Sequence, residues 1–153
     1  MRFNSERVTL RKNEMKSSDV PYWHLWVDES GVTRQEQRTL TASSEADWHG
    51  IGEVLTTGKI ADVNEREMLV LPPGTVYEWH ENPFPQWIVP LSGQWFVEST
   101  DGRRVEMGPG EISFGEDQNS LEVDGKRGHL SGVVGDEPCI LLCIRASSKA
   151  PHV

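Results

Sequence analysis

The chain has 153 residues, with 24 acidic and 15 basic side chains and a formal net charge of −9. This length fits one ordinary domain, and the acidic balance disfavours binding to the phosphate backbone of a nucleic acid. No apolar run approaches the roughly 20 residues of a membrane-spanning helix, and the charged N-terminal segment lacks the apolar core of a secretory signal. We therefore expect a cytoplasmic protein with no nucleic-acid and no membrane partner.

The first half of the chain predicts a polar arm followed by a β-hairpin. Residues 1–20 are polar, and the segments YWHLWV and VTRQEQRTL then flank the turn sequence DESG. Alternating apolar residues on both sides of a turn are typical of a hairpin. Residues 42–57 follow, and we predict a loop with at most one helical turn, because Gly50 and Gly52 interrupt the helical period.

From residue 61 onward, short strand-like segments alternate with turn residues. The segments are EMLVL, TVYEWH, QWIVPL, QWFVES, RRVEM, EISF, GHLSGVV and CILLCIR. Glycine, proline, asparagine or aspartate stands between most of them, which favours an all-β sandwich or barrel. We predict four segments: the arm (1–20), a hairpin and loop packed on the barrel (21–60), the barrel (61–146) and a tail (147–153).

The two cysteines, Cys139 and Cys143, lie in the segment CILLCIR. In a strand they would share a face about 13 Å apart, at a rise of about 3.3 Å per residue. A disulfide needs Cα atoms within about 7 Å of each other. The spacing predicts two free thiols.

Residue spacing between Pro72 and Gly110 resembles the cupin superfamily. The first cupin motif places a glycine, two histidines, a glutamate and a second glycine at fixed intervals. The matching positions here are Gly74, His80, Asn82, Gln86 and Gly93, and the second motif is represented by Gly108-Pro109-Gly110. The segment DGKRGH, which ends at His129, is similar to one in a subgroup of small bacterial cupins. The resemblance implies a jelly-roll β-barrel (a double-stranded β-helix) with an N-terminal β-hairpin extension.

The resemblance also implies a metal site formed by His80, Asn82, Gln86 and His129. Two imidazoles and two amides replace the usual three imidazoles and a carboxylate, and this loss should reduce metal affinity by several kcal/mol, on the scale of structural zinc sites. We therefore expect one divalent transition metal (Fe, Zn, Ni or Mn) at low occupancy and no organic cofactor. Alternate strand residues share a face, so Glu78 could supply the missing anion, and His80 and Glu78 are the candidate catalytic residues.

Three tryptophans, Trp79, Trp87 and Trp95, lie on strands around the predicted site. Aromatic side chains in a barrel with few polar groups make a pocket for a small organic molecule. Packing of each tryptophan in the core or in a dimer interface is the alternative.

These observations predict a small-molecule-binding cupin with a degenerate or weak metal centre. The alternative is a metal-dependent cupin enzyme of the dioxygenase, isomerase, cyclase or lyase type, and a metal-free enzyme would use His80 as general base. We also expect a homodimer, because an exposed YWHLWV strand would otherwise be an adhesive sheet edge.

Overall fold

A computed structural model describes residues 18–42, 44–47, 53–57 and 65–146, so the predicted arm and tail lie almost wholly outside the described residues. The described part contains these strands: β1 (Ser18–Val27), β2 (Thr33–Ala42), β3 (Ser44–Asp47), β4 (Glu53–Thr56), β5 (Arg66–Leu71), β6 (Val76–His80), β7 (Gln86–Ser92), β8 (Gln94–Ser99), β9 (Arg104–Met107), β10 (Ser113–Glu116), β11 (His129–Val134) and β12 (Cys139–Arg145). None of the described residues belongs to a helix that is long and apolar enough to cross a membrane.

The strands form one six-stranded sheet, one four-stranded sheet and a separate two-stranded sheet. The six-stranded sheet has the order β2-β1-β10-β7-β12-β5, and the four-stranded sheet has the order β6-β11-β8-β9. The segments from β5 to β12 therefore pass back and forth between the two larger sheets. The all-β prediction is confirmed.

The N-terminal hairpin forms as predicted and belongs to the six-stranded sheet. β1 and β2 pair antiparallel from Ser18 with Ala42 to Val27 with Thr33. The side chain of Asp28 holds the turn, because its Oδ1 accepts hydrogen bonds from the backbone amides of Ser30 and Val32. β1 also pairs parallel with β10, so it is hydrogen-bonded on both sides within one chain. The exposed edge on which the dimer expectation rested is thus not present at β1.

The segment predicted as a loop with at most one helical turn contains two strands instead. β3 pairs antiparallel with β4, from Ser44 with Thr56 to Asp47 with Glu53. Gly50 and Gly52, on which the loop prediction rested, lie between the two strands in sequence and outside the described residues.

Apolar residues pack on both faces of the six-stranded sheet. One cluster joins the two larger sheets and includes Ile88 of β7, Trp95 of β8 and Leu141 of β12. The second cluster includes Trp87 and Phe114. Trp87 and Ile88 are neighbours on β7 and so point to opposite faces. The space between the sheets beside the first cluster contains the candidate site.

Candidate functional site

A cavity of about 350 Å³ lies between the two larger sheets. Its walls are mostly apolar, with Leu69 and Leu71 on β5, Ile88 on β7, Trp95 on β8 and Leu141 on β12. Its polar side carries His80, His129, Asn82 and Gln86. A cavity of this size with few polar groups suits a small organic ligand.

Two imidazoles meet at the polar side of the cavity. His80 is the last residue of β6, His129 is the first residue of β11, and the antiparallel register places them directly opposite each other. Their ring centroids are 4.5 Å apart. His129 is buried, whereas His80 is exposed. The backbone pairing of two adjacent strands therefore fixes the distance between the rings.

A register shift in β6 decides which of its side chains reach the cavity. His129 pairs with His80, but Ser131 pairs with Tyr77, so three steps along β6 match two steps along β11. Such a bulge breaks the alternation of faces. Tyr77 and His80 both line the cavity, whereas Glu78 is exposed and is not part of its lining. The alternation that placed Glu78 on the same face as His80 therefore does not hold here.

β6 and β7 belong to different sheets, so His80 and Gln86 do not lie on neighbouring strands. Asn82 lies in the chain segment between these two strands. Nε2 of Gln86 donates a hydrogen bond of 2.6 Å to Oδ1 of Asn82. Gly115 lies against this amide, and a Cβ atom there would come within 2.4 Å of Nδ2 of Asn82. The close approach of β10 thus restricts the space available to the Asn82 side chain.

The central polar residue of the site is Asp117, which the sequence analysis missed. Its Oδ2 lies 2.6 Å from Nδ1 of His129. Its Oδ1 accepts hydrogen bonds from the backbone amide and from Nδ2 of Asn82, at 2.9 and 2.7 Å. In the sequence only an acidic pair after the strand EISF hints at it. Asp117 holds His129 and Asn82 in place together.

Asp117 is ionised despite its burial. Burial alone would raise its pKa, but the hydrogen bonds from His129 and Asn82 and the charge of a protonated His129 outweigh it, and the pKa falls below 3.8. A buried carboxylate that accepts three hydrogen bonds can keep its charge in this way. The ionised carboxylate fixes the orientation of the His129 ring and stabilises positive charge on it.

The hydrogen-bond partners fix which nitrogen of each ring carries a proton. Nδ1 of His80 lies 2.6 Å from the carbonyl oxygen of Glu78, which can only accept, so this nitrogen is the donor. Nδ1 of His129 donates to the Asp117 carboxylate for the same reason. Burial, assisted by the charge of His129 and opposed by the Glu78 carbonyl, lowers the pKa of His80 below 6.5. A neutral ring with Nδ1 protonated carries a lone pair on Nε2.

Gly128 brings the two histidine-bearing strands together. It has a φ of +74°, and a Cβ atom there would lie 2.2 Å from the carbonyl oxygen of His80. The hydroxyl of Thr33 donates a 2.7 Å hydrogen bond to the Gly128 carbonyl. The N-terminal hairpin therefore anchors the backbone just before His129.

Replacing Gly128 with alanine should destabilise the protein by about 2–4 kcal/mol, because the positive φ and the backbone clash add up. Urea unfolding of the variant measures the change. Gly125→Ala is the matched control, because Gly125 also has a positive φ but open space around a Cβ atom. Equal losses in the two variants would show that the contact with His80 is not tight.

The three predicted pocket tryptophans occupy different environments. Trp95 lines the cavity and is buried, and its Nε1 has no hydrogen-bond partner. Trp87 belongs to the apolar cluster on the opposite face of the sheet. Trp79 lies under the ammonium group of Lys126, 5.0 Å from it, and does not line the cavity. Of the three, the structure brings Trp95 alone to the site.

The donor atoms around the two imidazoles do not fit a tight transition-metal site. The Asp117 carboxylate accepts hydrogen bonds from His129 and Asn82. Both polar atoms of the Asn82 side chain are also hydrogen-bonded to protein groups. Within the described ranges, no group of three or more His, Cys, Asp and Glu side chains could hold a metal ion. Two neutral imidazoles and the Gln86 amide would remain, without an anionic ligand.

The thiol of Cys143 also lines the cavity. Neither cysteine forms a disulfide, as predicted. Burial, and secondarily the charge of Glu67, raises the pKa of Cys143 to about 11. Because the thiolate is the reactive form, this cysteine is a wall residue and not a nucleophile.

Alkylation of Cys143 by iodoacetamide in a Cys139→Ser variant should be at least about tenfold slower than that of free cysteine at mildly alkaline pH. Adding Glu67→Gln should accelerate it, because a neutral side chain no longer raises the pKa. Mass spectrometry of timed samples measures both rates. A rate equal to that of free cysteine would contradict the assigned environment.

No protein-family model matches the chain, and no curated protein matches it. The functional assignment therefore depends on the geometry of the cavity.

Proposed function

We propose that the protein binds a small organic molecule in the cavity between the two sheets. The observation that carries this proposal is the pairing of apolar walls with two adjoining imidazoles on one side. The apolar walls would bury the body of the ligand, and the imidazoles would orient its polar group. We place this function ahead of metal-dependent catalysis, because the donor set around His80 and His129 lacks an anionic ligand.

We further propose that the architecture is a jelly-roll barrel of the cupin kind with an N-terminal hairpin. Two features support it: the strands from β5 to β12 alternate between the sheets except for the pair β8 and β9, and the motif residues His80 and His129 lie at the cavity. Cupin membership, a homodimer and a cytoplasmic location remain proposals that follow from the sequence. In this proposal the residual metal affinity is weak and belongs to His80, His129 and Gln86.

Two substitutions on β5 test the binding function. Leu69 lines the cavity, whereas its neighbour Met68 is 69% exposed on the other face. Leu69→Trp should weaken binding of any cavity ligand by at least about tenfold, because the indole fills part of the site, and Met68→Trp should leave it unchanged. A thermal-shift screen for stabilising compounds, run on all three proteins, measures this. Compounds that stabilise Leu69→Trp as strongly as the wild type would place binding elsewhere.

A second candidate function is metal-free proton transfer, and the contact between Asp117 and His129 favours it. An orienting carboxylate on Nδ1 leaves Nε2 of His129 as a general base that faces the cavity. In this reading His129 takes the proton, whereas the sequence suggested His80. Deuterium exchange into a bound compound at a carbon-bound position, abolished in His129→Gln and retained in His80→Gln, would establish it. Exchange unaffected by His129→Gln would exclude it.

A further inference from the structure

We propose that the polar group of the ligand is a neutral hydroxyl that donates its single hydrogen bond to Nε2 of the buried His129, while Nε2 of the exposed His80 can accept from solvent. This inference rests on the proposed binding function and adds the chemical class of the ligand. Its basis is the common tautomer of His80 and His129, which is fixed by two acceptors behind the rings, the Glu78 carbonyl and the Asp117 carboxylate.

Both rings in their neutral form present an acceptor to the cavity. Because each Nδ1 donates to a protein oxygen, the hydrogen-bonding atom left on each ring is the Nε2 lone pair. A carbonyl, an ether or a carboxylate has lone pairs but no hydrogen to donate. It therefore could not form a hydrogen bond with the Nε2 lone pair of either ring. Burying a polar group without a hydrogen-bond partner costs about 1–3 kcal/mol of binding free energy. The pair therefore selects for a hydrogen-bond donor.

A neutral hydroxyl fits this pair better than a charged ammonium group. The walls described for Leu71, Ile88 and Leu141 are apolar and would not replace the hydration of a cation. One carboxylate, Glu67, also lines the cavity, but it belongs to β5 of the six-stranded sheet, whereas both imidazoles belong to the four-stranded sheet. The charge of Asp117 is already matched by hydrogen bonds from His129 and Asn82. A hydroxyl can also accept a hydrogen bond if His129 becomes protonated, so it remains paired in both states.

The residues that line the cavity suit a ligand in which this hydroxyl is attached to an aromatic or branched apolar group. Trp95 lines the same cavity, and Tyr77 and Phe84 lie at its more open side. Aromatic rings pack well against these side chains. A substituted phenol therefore combines the acidic donor and the apolar body that the site requires, and para-ethylphenol is a suitable probe.

Matched probes test the inference by calorimetry at a mildly alkaline pH, above the ordinary pKa of an imidazole. We expect para-ethylphenol to bind at least about tenfold more tightly than its methyl ether and than para-ethylbenzylammonium. Equal or tighter binding of the ether or of the ammonium compound would overturn the donor inference and leave the binding function standing. If none of the probes bound and none protected Cys143 from alkylation, the binding function would fail together with the inference.

Asp117→Asn is the informative variant. The asparagine keeps the shape and an oxygen for Asn82, but its amide donates to Nδ1 of His129 and moves the ring proton to Nε2. The ether then meets a donor, so the preference for the phenol over the ether should fall by about tenfold. An unchanged preference in a folded variant would overturn the inference.

A measurement on the wild type keeps the test independent of that variant. Long-range ¹⁵N NMR spectra distinguish the two histidine tautomers directly. We expect protons on Nδ1 of both His80 and His129 in the free protein. A neutral ring with its proton on Nε2 at either residue would overturn the inference whatever the probes show.

Discussion

Asp117→Ala is expected to destabilise the protein by about 3–5 kcal/mol, as the loss of one partner of a buried charged pair does. The alanine would leave the backbone amide and Nδ2 of Asn82 and Nδ1 of His129 without their acceptor in a buried site. Urea unfolding, extrapolated to water, measures the loss. This loss of stability should be among the largest caused by replacing any polar residue in the described part of the chain with alanine.

Two controls separate the carboxylate from the side-chain volume. Asp117→Asn preserves shape and an acceptor and should cost less, about 1–3 kcal/mol. Asp136→Ala removes an exposed carboxylate and should change the stability by less than about 0.5 kcal/mol. If Asp117→Ala is as stable as Asp136→Ala, the buried network has no structural role.

The lowered pKa of Asp117 also predicts a dependence of stability on pH. A carboxyl whose pKa is lower in the folded state stabilises the protein at pH values above 3.8, the value for the unfolded chain. This contribution is lost as the pH falls through the lower folded pKa. The wild type should therefore lose more stability than Asp117→Asn between neutral pH and strongly acidic pH, and parallel curves would contradict this.

Trp87→Ala is the second substitution with a large expected effect, a loss of about 3–5 kcal/mol. The indole is 1% exposed and packs edge-on against Tyr22 and Phe114, with ring centroids 5.2 and 4.6 Å away. Its removal would leave a cavity in the cluster on the face of the sheet away from the site. Chemical denaturation measures the loss.

Trp79→Ala is the matched control for Trp87→Ala. Trp79 is half-buried and contacts Lys126 through a cation–π interaction, which contributes about 0.5–1 kcal/mol at an exposed site. Neither substitution touches the cavity, so ligand binding should survive in each folded variant. Similar losses of stability in the two variants, or a loss of binding in Trp87→Ala, would contradict the packing described here.

The strands were predictable because their signals are local. Turn residues such as Gly93 and Gly102 separate the apolar segments, and eight predicted segments between residues 65 and 146 coincide with β5 to β12 within two residues. The hairpin of β3 and β4 was missed because neither strand has a clear alternation and glycines lie between them. Local signals also could not show which strands share a sheet, so they could not reveal that His80 and Gln86 lie in different sheets.

Only the site residues that belong to the spaced sequence motif were predictable. His80, Asn82, Gln86 and His129 all line the cavity, yet Asp117, which joins His129 to Asn82, belongs to no motif. Its importance arises from a contact between a loop and a strand 12 positions apart in sequence. The bulge in β6 was also hidden, because its origin is the register with β11 and not the residues of β6.

Native mass spectrometry tests most directly whether the cavity holds an organic molecule or a metal ion. The protein would be purified without a metal-binding tag or chelator, next to His80→Ala and Leu69→Trp. We expect far less than one metal ion per chain, unchanged in His80→Ala, and an adduct with added para-ethylphenol that Leu69→Trp does not form. One transition-metal ion per chain in the wild type, lost in His80→Ala, would contradict the account.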